Sequence, residues 1–175
     1  MTPKPIRFAD LGIRVLSALV LIVLALLAFW KDIGFVVALV SAAASLMLWE
    51  YRRIVLGTLA LSDPTLWVMV VAGTLAIALT GFMSLWHAVP PLVVGALVLA
   101  FLERRRWLWM AAGLGYIAFG MAVLVDLRRA PDTGFQTVLW LSLVVVAGEV
   151  GGYFAGRYFG GPKLAPRISP SKTWA

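Results

Sequence analysis

The chain has 175 residues, 62% of them hydrophobic and 13% charged, with a formal net charge of +7 and no cysteine. So little charge in so apolar a chain excludes an ordinary soluble domain, and the lack of cysteine excludes disulfides and thiolate metal sites. The composition predicts an all-α, polytopic integral membrane protein with room for about six spans of roughly 20 residues each and no sizeable soluble domain.

Residues 1–10 read as a short polar tail carrying Lys4 and Arg7. Six apolar runs follow, at 15–30, 33–49, 66–86, 89–102, 107–125 and 135–148. No small-residue cleavage site follows the first run, so it reads as a retained anchor. Only the third and fifth runs reach spanning length unaided. The fourth is short and opens on Pro90-Pro91, which leaves two readings: a span that depends on its neighbours, or a re-entrant segment. Trp30, Trp49, Trp67, Trp86, Trp107 and Trp109 all stand at ends of runs, where an amphipathic ring suits the headgroup layer.

The basic residues lie in short clusters between the runs, the pattern of a membrane surface, so no nucleic-acid partner is expected. With the N-terminus inside, the cytoplasmic segments hold Lys4, Arg7, Arg14, Arg52, Arg53, Arg104, Arg105, Arg106, Arg157, Lys163, Arg167 and Lys172. The opposite side holds Lys31, Arg128 and Arg129. Twelve against three predicts a cytoplasmic (inner) membrane protein with both termini in the cytoplasm.

The chemistry gathers at the end of the chain, which divides on this reading into a membrane region, 1–148, and a substrate region that starts at 149–175. Glu149 lies at the edge of the last apolar run, where an acid is costly unless it is paired or functional. An ion pair with Arg157 or with a neighbouring span is one reading, and a working carboxylate is the other. Glycines at 148, 152, 156 and 160 recur once per helical turn, so a second backbone could approach that face, as a packing contact or in a homo-oligomer. Gly160-Gly161-Pro162 should end the helix. Beyond it a basic cytoplasmic loop mixes Lys163, Arg167 and Lys172 with Pro166, Pro170 and the hydroxyls of Ser169, Ser171 and Thr173. Stiff turns that present cations and hydroxyls suit a phosphate-rich ligand, and equally a polybasic tail on anionic lipid. Gly156 to Lys163 is no P-loop, since Pro162 stands where the lysine belongs and no strand precedes it. His87 stands alone near an interface, without a second metal ligand close in sequence. Glu50, Arg52 and Arg53 read as an interfacial charge cluster.

Glu149, the run GYFAGRYFG at 152–160 and KLAPRISPSKTW at 163–174 together resemble the phosphatidate cytidylyltransferase (CDP-diacylglycerol synthase) family. Weaker echoes lie in IRVLSALVLI near the start and in LWEY at 48–51. The resemblance implies a transferase of phospholipid biosynthesis that joins CTP to phosphatidate, forming CDP-diacylglycerol and releasing diphosphate, with Mg2+ as cofactor. It implies catalytic roles for Glu149 and Lys172 and substrate contacts from Lys163, Arg167, Ser169, Ser171 and Thr173. No metal ligand is assigned. The family usually has Asp where this chain has Glu149, one methylene shorter. Its further acidic motifs and its His-Gly-Gly segment fall beyond Ala175, so the sequence is expected to be C-terminally truncated and inactive by itself. Two other readings remain: a noncatalytic membrane partner of a full-length relative, and a membrane protein that only binds anionic lipid.

Overall fold

The computed structural model describes residues 16, 20, 22–57, 61–165 and 169–173. Backbone contacts divide the chain into two compact units, Met1–Phe135 and Gln136–Ala175. In the first, residues 22–30 form helix α1. It is followed by α2 (Ile33–Leu56), α3 (Pro64–Phe82), α4 (Val89–Leu102), α5 (Trp107–Leu114) and α6 (Gly120–Arg129). A 3-10 turn, Leu85–Ala88, leads into α4, and one π-helical turn, Gly115–Phe119, joins α5 to α6. Helix α7 (Gly134–Tyr158) and strands β1 (Lys163–Ala165) and β2 (Ser169–Thr173) complete the chain.

Among the described residues, five helical stretches are long and apolar enough to cross a membrane: Ile33–Leu56, Pro64–Phe82, Leu85–Leu102, Trp107–Arg129 and Gly134–Gly156. They take up the second to sixth apolar runs. The first run lies partly outside the described residues, and 22–30 of it are helical. The Pro90-Pro91 pair does not break the fourth stretch, because it falls in the first turn of α4, where a helix has no amide bond to lose.

Helix α2 outlasts its apolar run by a full two turns. Glu50, Arg52 and Arg53 do not stop it, since glutamate and arginine are good helix formers. Gly57 does, adopting φ 73° and donating its N–H to the Arg53 carbonyl at 2.8 Å. At the other end the Asp32 side chain caps the helix by accepting from the Gly34 amide. Asp63 caps α3 in the same way, accepting from the Thr65 amide at 2.9 Å, with Pro64 in the first turn.

Two apolar clusters hold the first unit together. One joins Val36, Val37, Val40 and Ala44 of α2 to Ala76 and Ile77 of α3 and to Ala122 and Val125 of α6. The other joins Leu48 to Met69 and Ala72, Leu99 of α4, Met110 and Leu114 of α5, and Ile117 and Ala118 of the π turn. Within a bilayer helices gain little from hiding apolar surface and associate through close packing, which favours small side chains at the contact. Gly113 is such a place: the Tyr51 ring lies where a Cβ would go. The Tyr51 hydroxyl thereby reaches the Trp109 carbonyl, to which it donates at 2.8 Å. Trp30, Trp67, Trp86 and Trp109 are exposed at or near helix ends, as the interfacial reading requires, and Trp67 donates its indole N–H to the Leu61 carbonyl. Trp49 departs from that reading, since α2 continues seven residues past it and it is partly buried.

The segment read as a basic loop contains a short antiparallel ribbon. Lys163 pairs with Thr173 and Ala165 with Ser169, with an irregularity in register between them. Prolines and serines have low strand propensity, which hid the pairing, and the bulge gives Pro170, which cannot donate to a ladder, a tolerated place.

Candidate functional site

The residues singled out for chemistry all belong to the second unit. Helix α7 carries Glu149 and ends where the Phe159 amide donates to the Ala155 carbonyl at 2.9 Å. The rings of Tyr158 and Phe159 meet edge to face, 5.1 Å apart. Gly160 and Gly161 then take φ values of 62° and 112°, a region closed to most side chains, so the chain turns sharply out of the helix. Pro162 follows and prevents its resumption.

That turn delivers Lys163 to the first position of β1, exposed. Pairing with β2 sets it across from Thr173, the chain neighbour of Lys172. The ribbon thus brings together the backbones of Lys163, Lys172 and Thr173 at one end and Ala165 and Ser169 at the other, with Ser171 between. Arg167 lies outside the described residues.

Glu149 is exposed on α7 and makes no hydrogen bond or ion pair among the described residues. No described contact joins it to the ribbon. Gly148, Gly151 and Gly152 have nothing within 4 Å of where a Cβ would sit, so this part of the helix has room for another backbone. Among the described residues no three His, Cys, Asp or Glu side chains gather where they could hold a metal ion. Glu149 is the sole carboxylate from 136 to 175. Residues 136–175 by themselves therefore supply no metal cage. His87 Nδ1 lies 2.8 Å from the Ser84 hydroxyl.

The first unit holds a polar network that the sequence reading took for surface charge. Arg52 is fully buried near the end of α2. It pairs with Asp63, and its Nε donates to the Thr65 hydroxyl at 3.0 Å. The Thr65 hydroxyl in turn donates to Asp63 at 2.7 Å. Burial alone would raise the Asp63 pKa. The Thr65 hydroxyl and amide and the Arg52 guanidinium together outweigh it and hold the carboxyl below its usual value. Beside this network Arg106 donates to the Val55 carbonyl. A signal was present in the spacing: Val36, Val40, Ala44 and Leu48 are buried at every fourth residue, and the next step is Arg52.

Residues 12–175 match the model of the cytidylyltransferase family. A phosphatidate cytidylyltransferase of Brucella suis is 41% identical over 102 residues, covering 55% of this chain and 38% of that protein. A phosphatidate cytidylyltransferase of Pseudomonas aeruginosa is 32% identical over 172 residues, covering 92% of this chain and 63% of its own length. A third, of Mycobacterium leprae, is 42% identical over 72 residues, covering 41% and 22%. The chain therefore spans less than two thirds of these relatives. No solved structure matches it. With a family match over nearly its whole length and five helices of membrane-crossing character among the described residues, the chain is a membrane protein of the cytidylyltransferase family.

Proposed function

We propose that this chain serves the transfer of a cytidylyl group from CTP to phosphatidate, and that its second unit supplies one wall of the site. The observation that carries the reading is the Pseudomonas relative, similar over 92% of this chain and named for that reaction. In the reaction a phosphate oxygen of phosphatidate attacks the α-phosphorus of CTP, forming CDP-diacylglycerol as diphosphate leaves. Negative charge crowds on the transferring group and the leaving diphosphate, so fixed cations aimed there lower the barrier. Lys163, Arg167 and Lys172 supply such cations, and Ser169, Ser171 and Thr173 supply hydroxyl donors. The pairing of Lys163 with Thr173 supports the reading, because it groups two of the lysines at one end of the ribbon. In this proposal 149–175 begins the substrate region, 1–148 holds it in the membrane, and Glu149 is the working acid.

Magnesium enters as the cation that accompanies CTP, where it neutralises phosphate charge. It retains water and phosphate ligands and needs only one or two carboxylates from a protein. Glu149 is the second unit's only candidate for that contact, and no step is assigned through the metal.

The site would face the cytoplasm, where nucleotides are, with both termini on that side of the inner membrane. Side-chain bonds in the first unit support this orientation. Arg52 with Asp63, Arg106 with Val55 and Tyr51 with Trp109 tie together an end that holds Arg52, Arg53, Arg104, Arg105 and Arg106. Arg128 ties the opposite end through the carbonyls of Phe29 and Lys31. The five arginines favour the first end as the cytoplasmic one. A homo-oligomer could form on the open glycine face of α7.

The test is a chimaera in which this chain replaces the matching 172 residues of the Pseudomonas relative. It should form CDP-diacylglycerol from CTP and phosphatidate. Lys172→Ala should lower turnover by about 10- to 100-fold, the loss expected for one charge-assisted contact. Full turnover in the Lys172→Ala chimaera would remove the ribbon from the site.

A further inference from the structure

We infer that the groove between α1 and α2 seats an acyl chain of an anionic phospholipid whose phosphate is held by Lys31. The site lies in the first unit and does not depend on the reaction proposed above.

The groove has a volume of about 450 Å³. Leu24, Leu27 and Ala28 of α1 form one wall, and Phe35, Ala38 and Leu39 of α2 form the other. Lys31, in the turn between the helices, is the one polar side chain on its lining. Leu24 precedes Lys31 by seven residues and Leu39 follows it by eight, so at about 1.5 Å of rise per residue the walls run roughly 10–12 Å from the lysine. An occupant with polar atoms along that length would leave them unpaired against hydrocarbon, whereas an unbranched acyl chain has none.

At the mouth the charges favour an anion. Lys31 is exposed and its ammonium has no hydrogen bond or ion pair among the described residues. The nearest carboxylate in sequence, Asp32, faces the Gly34 amide at 3.4 Å as the cap of α2. Asp126 lies 3.6 Å from Arg129. Arg128 donates to the Phe29 carbonyl at 2.6 Å and to the Lys31 carbonyl at 3.3 Å. It thus fixes the turn that displays the lysine and occupies carbonyls that would otherwise repel a phosphate. Trp30, 75% exposed on the same turn, is the ring expected at headgroup level. An ammonium at the interface above a dry slot matches a phospholipid in both charge and depth.

The experiment is native mass spectrometry of the purified chain in detergent with phosphatidylglycerol or phosphatidylcholine of equal chain length, and no CTP. Phosphatidylglycerol should be retained more strongly. Lys31→Gln should weaken its retention about fivefold, which corresponds to about 1 kcal/mol for one cation at an anionic surface, and Lys31→Arg should restore it. Ala38→Trp, at an exposed position whose ring would fill the slot, should weaken both lipids. Glycerol 3-phosphate should not displace the lipid. Retention unchanged in Lys31→Gln, or unchanged in Ala38→Trp, overturns the assignment. Displacement by glycerol 3-phosphate would make it a site for free phosphate, which also overturns it.

Discussion

Two helices of nearly equal length, α2 with 24 residues and α7 with 25, each carry charge into a membrane-length stretch, and they treat it in opposite ways. Helix α2 buries Arg52 completely and matches it with Asp63 and Thr65. Helix α7 leaves Glu149 exposed and without a partner among the described residues. A charge matched inside a fold is committed to holding helices in place. An unmatched one near the bilayer is costly for folding and is open to a ligand, a metal or another chain. The comparison therefore gives Arg52 a structural role and leaves Glu149 available for the role proposed for it, whereas position in the sequence alone made both look interfacial.

The widest separation should come from removing the partner of each charge. Asp63→Ala leaves Arg52 buried and deprived of its carboxylate, and should cost about 3–5 kcal/mol of stability in a detergent melt. The same pair gives a pH test. Because the folded state lowers the Asp63 pKa, its contribution is complete above the unfolded value of about 3.9 and is lost as pH falls through the lower folded value. Melting temperature should thus drop below about pH 4 in the wild type, and an Asp63→Asn variant should be flatter over that range. An equal drop in both would take Asp63 out of the network.

Packing sharpens the comparison at a smaller scale. Gly113→Ala pushes a methyl into the Tyr51 ring and should cost about 1–3 kcal/mol. Gly152→Ala meets nothing within 4 Å and should be neutral or slightly stabilising, as alanine is the better helix former. Equal losses in both would mean that α7 is as tightly packed as α5. The smallest effect on stability should come from Glu149→Gln, within about 0.5 kcal/mol of wild type. In the chimaera, however, it should reduce CDP-diacylglycerol formation by about tenfold or more. A large loss of stability with turnover intact would reverse the roles given to the two charges.

The spans were legible because a membrane crossing needs only a long enough apolar run, and five of the six runs recur as helices among the described residues. Their ends were less legible. Charges at Glu50, Arg52 and Arg53 looked like a terminus, but neither residue type breaks a helix, and the stop is set by Gly57. The pairing of Arg52 with Asp63 was hidden because it depends on α3 returning beside α2. The ribbon was hidden because its strands are five residues or fewer and the second contains Pro170. The family-like wording of 149–174 and the helix end at Gly160-Gly161-Pro162 were both legible, whereas the distance from Glu149 to the lysines depends on the φ values that the two glycines take, which no motif specifies.

The π turn at Gly115–Phe119 has a consequence for the phase of the helix that contains it. Met110, Leu114, Ala118 and Ala122 are buried at every fourth residue. In an α-helix four residues overshoot one turn by about 40°, so such a series winds around the axis as it advances. Helix α2 carries its own series, Val36, Val40, Ala44, Leu48 and Arg52, without any wider turn. The helix from Trp107 to Arg129 instead absorbs the overshoot in one wider turn, which needs more residues to go round once. One extra residue acts as a gear adjustment, keeping Ala122 and Val125 aimed at the bundle. The same widening leaves Tyr116, 85% exposed, displayed on the opposite side.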